Sequence, residues 1–167
     1  MLAALETAAH RLDAGQPLNP SFFILASDFI QGFADGCHHR KEEGILFPAM
    51  EAAGFPSEAG PIAVMLAEHN LGRQLTAAMR AAAESIAAGD ASARGPLIQA
   101  ASDYAALLWQ HIAKEENILF PMADSALDGP SQAKVAADFA RVEEETGAGV
   151  HDRFLALAQT LERQATA

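Results

Sequence analysis

Apolar residues recur along this chain in steps of three and four, with no period-two alternation and no β-branched runs, so every element the pattern predicts is a helix. A short helix covers residues 1–13 and ends at Gly15-Gln-Pro-Leu-Asn-Pro20. Asn19 as cap, with Pro20 at the first helical position, starts a second helix predicted to run to about residue 53. Its inward row reads Ile30, Ala34, His38, Glu42, Ile45. Pro61 opens a third helix to about residue 88, and Pro96 a fourth to about residue 127. The fourth carries the row Ala100, Tyr104, Leu108, His111, Glu115, Ile118, Met122. A fifth segment spans about 131–145, and a last amphipathic helix follows Gly147 and Gly149 to about residue 163. Four long helices on short loops predict an all-α fold, an antiparallel up-down four-helix bundle over residues 1–127, with residues 128–167 as a helical extension packed on its outside.

Both inward rows turn polar at the same place, and the chain repeats itself there. Residues 38–53 and 111–126 agree at nine of sixteen positions, aligned on Ile-Leu-Phe-Pro. The alignment puts His38 on His111 and Glu42 on Glu115, a histidine four residues before a glutamate in each copy. On a helix that spacing sets both side chains on one face, about 5–6 Å apart at Cβ. An imidazole nitrogen and a carboxylate oxygen aimed at one spot suit a first-row transition metal such as iron. Each copy ends in a proline, Pro48 or Pro121, which predicts a kink or loosening just beyond the site.

In an antiparallel bundle all ligands must share one depth, and a rise of about 1.5 Å per residue tests this. His69 on the third helix matches His111 to within about one turn and His38 more loosely, so it is the third candidate imidazole. His10 misses that depth by more than about 20 Å and is expected at the surface. His39 follows Asp35, Gly32 and Asp28, a polar row, so it and Glu43 are expected either in water or behind the ligands, and Glu116 likewise. His151 is expected on the surface or in packing, and Cys37 in the core. Tyr104 shares a face with His111 and is a candidate pocket-lining residue. Without metal, Glu42 and Glu115 facing each other should repel, leaving one protonated.

Composition narrows the field of partners. A net charge of −11 with no basic cluster repels phosphate backbones and anionic lipid, so neither nucleic acid nor membrane is expected. No apolar run reaches the roughly 20 residues of a membrane span, and no secretory signal is expected before the fold. One cysteine excludes an internal disulfide and fits a reducing cytoplasm.

Taken together, His38-His-x-x-Glu-Glu43-x-Ile-Leu-Phe-Pro48, Glu68-His69 and His111-x-x-x-Glu-Glu-x-Ile-Leu-Phe-Pro121 resemble the hemerythrin-like (HHE cation-binding) family over about residues 1–127. The resemblance implies a non-haem diiron centre inside a four-helix bundle, with Glu42 and Glu115 bridging and His38, His69 and His111 as terminal ligands. It implies proteins that bind or sense O2, handle iron, or react with peroxide or nitric oxide. Family members usually add a histidine from the first helix, and here that helix starts too late to supply one. Either the true start lies upstream, or one iron keeps His38 as its single histidine, or His39 or His151 compensates. The expectation is one secure and one weak metal position, with manganese or zinc as alternatives to iron. A binding or sensing module comes first, an enzyme reducing peroxide or nitric oxide second, and a metal-free regulatory or interaction bundle third.

Overall fold

The computed structural model describes residues 1–147 and 149–167. It is an all-α bundle with no strand among the described residues, and none of their helices is long and apolar enough to cross a membrane. Helix α1 (Leu2–Asp13) ends where Gly15 takes a φ of 82°. The second rod begins as α2 (Ser21–Phe29), where the Asn19 carboxamide accepts the Ser21 N–H at 3.0 Å. It continues through two π-helical stretches, Ile30–His39 and Glu42–Leu46, into α3 (Phe47–Ala52). Helix α4 (Gly60–Ala87) is the third rod. The fourth is α5 (Arg94–Lys114), a π turn Glu115–Leu119, and α6 (Phe120–Ala126). Helix α7 (Gly129–Thr146), capped by Asp128 on the Ser131 N–H, and α8 (Val150–Thr166) complete the chain.

The core is two apolar plugs with a polar layer between them. One plug is built around Leu5, Phe22, Phe23, Ile30, Met79 and Leu97. The other is built around Leu46, Met50, Ile62, Met65, Leu119 and Ala123. On each of the three long rods the motif residues fall between the two sets: Glu42, then His69, then His111 and Glu115, all buried. Water is thereby kept from the layer along the bundle axis.

The π turns change which residues point inward. A π turn holds about 4.4 residues rather than 3.6, so a four-residue step falls short of a full turn where on an α-helix it overshoots. Beyond each glutamate the inward row therefore runs on in fours. Leu46 is buried in place of the expected Ile45, and Leu119 is fully buried while the expected Ile118 is 49% exposed. Ala123 likewise replaces Met122. The loosening predicted beyond the site lies on the motif itself. The Phe47 N–H donates to the Glu42 carbonyl and the Phe120 N–H to the Glu115 carbonyl, five residues back in each case. Pro48 and Pro121 then sit in the first turn of α3 and α6, where a missing N–H costs little.

The C-terminal helices are fastened to the second rod. Lys41 pairs with Glu143 of α7 at 2.5 Å and Arg40 with Glu145 at 3.0 Å. Helix α8 buries Phe154, Leu161 and Ala165, and the Phe154 ring rests on Gly32 between Phe29 and Phe33. A Cβ at Gly32 would stand 2.2 Å from that ring. Gly32→Ala should therefore cost about 1–3 kcal/mol in chemical denaturation. Gly95→Ala, where a Cβ meets nothing within 4 Å, should cost nothing or stabilise slightly. Equal stability of the two variants would refute this packing.

Candidate metal centre

Five of the residues singled out by the repeat and the depth argument converge in the polar layer. His111 Nε2 lies 2.8 Å from Glu115 Oε1, and His69 Nε2 lies 3.3 Å from Glu42 Oε2. His38 Nε2 reaches both carboxylates, at 3.4 Å from Glu115 and 3.6 Å from Glu42. Donor atoms of Glu42, His69, His111 and Glu115 all lie within 4.8 Å of one another, close enough to hold one metal ion. His38 differs from the rest in that 42% of its side chain is exposed.

His39 is the main surprise. It is buried, and its ligand atom lies within 4.8 Å of those of His69 and His111. The polar row below it is tied to α4: Asp35 is largely covered and pairs with Arg73 at 3.2 Å, and the more exposed Asp28 pairs with Arg80 at 2.6 Å. The π-helical stretch Ile30–His39 also widens the turn, which turns His39 into the bundle.

Each buried imidazole is fixed from behind by a carboxylate, and each carboxylate by a cation. Asp35 binds His39 Nδ1 at 2.8 Å, and Glu43 binds His69 Nδ1 at 2.7 Å. Arg73 bridges the two carboxylates, 2.6 Å from Glu43. Glu68 binds His111 Nδ1 at 3.0 Å and is itself paired with Lys114. A carboxylate at Nδ1 places the proton there and leaves the Nε2 lone pair directed inward, the arrangement that orients metal-binding histidines. Sequence reasoning missed Asp35, Glu68, Arg73 and Lys114 in this role. Asp35 stands four residues before His39 and Lys114 three after His111, a spacing that was available but not distinctive. Glu43 takes the position behind His69, and Glu116 is exposed.

Electrostatics at the core follow from these contacts. Burial alone would raise the Glu115 carboxyl, but the imidazoles of His111 and His38 close beside it outweigh burial and hold the group below the usual carboxylate range. The bond to Glu115 raises His38. His111 is lowered by burial but carried above its ordinary value by Glu115 and Glu68. Burial lowers His39 despite Asp35.

Two cavities approach the layer, and His38 lines both. One, of about 560 Å3, is walled by Phe29, Phe33, Trp109 and Ile112 and reaches His39, Tyr104 and Glu115. The other, of about 380 Å3, lies under α7 between Leu46, Val135 and Phe139. Tyr104 is almost wholly buried, and burial raises its phenol well above the ordinary value. His10 is exposed, and His151 sits on the surface paired with Glu143 at 2.9 Å.

The residues fit a cation. Both Glu42 oxygens, His69 Nε2 and His111 Nε2 are buried without a hydrogen-bond partner, and these three residues belong, with Glu115, to the cluster whose donor atoms lie within 4.8 Å of one another. Each orphaned atom would cost about 1–3 kcal/mol if left so. A divalent ion held by these residues would supply the missing partners, and mixed imidazole–carboxylate donors accept iron, manganese or zinc.

Comparison with known proteins agrees with this geometry. The chain is 32% identical over 96 residues to the uncharacterized protein Rv1995 of Mycobacterium tuberculosis and, equally, to the uncharacterized protein Mb2018 of Mycobacterium bovis. The matched stretch is 58% of this chain, and the chain spans 37% of the length of these relatives. No solved structure matches it. The pattern of the hemerythrin HHE cation binding domain matches residues 1–123, which carry both His-x-x-x-Glu motifs and His69. The chain belongs to the hemerythrin HHE cation-binding domain family.

Proposed function

We propose that this is a cytoplasmic non-haem iron protein with a diiron-type centre, which binds or senses O2 or handles iron. The observation that carries the reading is the pair Glu42 and Glu115, two buried carboxylates set between three inward-facing Nε2 atoms. His38, His69 and His111 are the terminal ligands, and Glu42 and Glu115 the groups that bridge. Two carboxylates among imidazoles favour iron or manganese over zinc. Iron there supplies redox chemistry and affinity for small diatomic ligands. The chain's own residues orient the imidazoles, through Glu43 and Glu68, and exclude water, through the two apolar plugs. The acidic surface argues for a small-molecule partner rather than nucleic acid or membrane.

A second reading is an enzyme that reduces peroxide or nitric oxide at the same centre, reached through the cavity of about 560 Å3 that His38, Tyr104 and Glu115 line. Exposing anaerobically reduced, iron-loaded protein to air separates the two. A persistent coloured species supports binding or sensing, and rapid turnover of added peroxide supports the enzyme. Purified protein that contains no metal would leave only a regulatory or interaction bundle. Titration of ferrous iron into the metal-free chain should give one tight ion and a second, weaker one, because His38 is half-exposed and has no carboxylate behind it. Two equally tight ions would contradict that asymmetry.

A further inference from the structure

The four imidazoles near the carboxylates are not equivalent, and His39 is the one that neither the repeat nor the motif spacing assigns. Its counterpart in the second copy is Ile112, so the repeat does not require a histidine there. Yet it is built like His69 and His111: buried, fixed at Nδ1 by a carboxylate, and backed by a cation. A single guanidinium, Arg73, ties its anchor Asp35 to the Glu43 that anchors His69. The two rings consequently lie face to face, 3.8 Å between centroids and 17° between planes.

A metal ion sits in the plane of its imidazole, on the Nε2 lone pair, at about 2.0–2.1 Å. Two stacked rings with centroids 3.8 Å apart and planes within 17° of parallel therefore cannot both hold one ion in plane. They can serve two ions side by side, and paired ions in two-metal sites stand about 3.5–4 Å apart. We infer that His39 is a metal ligand, and that it serves the second ion of the pair while its stacked neighbour His69 serves the first. This rests on the metal-centre reading above. It gives the weaker position an imidazole from within the second rod, with no ligand from α1.

Titrating cobalt(II) into the metal-free chain tests it, with calorimetry for stoichiometry and proton NMR for the strongly shifted, exchangeable N–H signals of bound imidazoles. The wild-type chain should show two binding events. His39→Phe keeps a ring against His69 but has no lone pair; it should lose the weaker event and one shifted N–H signal. Asp35→Asn, which leaves His39 in place, should weaken the same event about 10–100-fold, the usual effect of removing an outer partner. His10→Ala, far from the centre, should change neither event. Two unaltered events in both His39→Phe and Asp35→Asn would make His39 a packing residue, and a single event in the wild type would also overturn its assignment to a second ion. A wild-type chain that takes up no cobalt would overturn the metal-centre reading itself.

Discussion

Glu115→Gln should abolish tight metal binding while leaving the helices folded. The carboxylate touches His111 at 2.8 Å and His38 at 3.4 Å, so it is the group through which two of the proposed ligands communicate. Glutamine fills the same volume but carries no charge and offers one oxygen. The loss of affinity should exceed the roughly 10–100-fold that follows removal of an outer partner. Neighbouring Glu116 is exposed, and Glu116→Gln should bind metal as the wild type does. Metal content after dialysis, with circular dichroism to confirm helicity, checks both. Unchanged metal content in Glu115→Gln would remove Glu115 from the centre.

Metal-free and metal-loaded protein should respond to pH in opposite senses. The folded-state pKa of Glu115 is depressed, so its contribution is present above the ordinary carboxylate value of about 4.3 and is lost as pH falls through the lower folded value. His38 and His111 are raised, so theirs are fully present below about 6.5 and are lost as pH rises through the higher folded values. His39, lowered by burial, opposes them in part. The metal-free chain should accordingly be most stable between about pH 4.5 and 6.5 and weaken toward pH 8. Metal binding needs the imidazoles deprotonated, so affinity should climb over the same interval. At neutral pH, free metal at 100 times Kd adds about 2.7 kcal/mol, or roughly 5–11 °C in Tm for a chain of this size. Thermal scans with and without chelator from pH 5.5 to 8 should show the gap widening with pH. A gap that closes would contradict the assignment of His38 and His111 as ligands.

Much of this was legible in the residues. The repeat found His38, Glu42, His111 and Glu115 because an i, i+4 pair survives as a local pattern whatever surrounds it. His69 came from arithmetic on helix rise, which tolerates an error of a turn. His39, expected in water or behind the ligands, is buried because the backbone before it is wound wider than 3.6 residues per turn and because Asp28 and Asp35, which read as a solvent face, pair with α4. Their partners, Arg73 and Arg80, lie about 40–50 residues further along the chain, and no local pattern reports such a pairing. Ile45 and Ile118 were placed inward by assuming ordinary α-helical winding.

The wide turns tie the grip on the centre to the threading of the rods. Both begin at a proposed bridging glutamate, whose own carbonyl accepts the stretched bond from Phe47 or Phe120. Rewinding either to an ordinary α-helix would rotate everything beyond it by about 100°, the angle of one residue. Leu46 and Met50, or Leu119 and Ala123, would then unscrew from their seats in the far plug. The stretched turn holds one residue more than an ordinary helix needs over that span, so a one-residue deletion between Glu43 and Leu46 would let α winding keep Leu46 and Met50 in their seats, whereas a one-residue insertion there would swing them out of the plug.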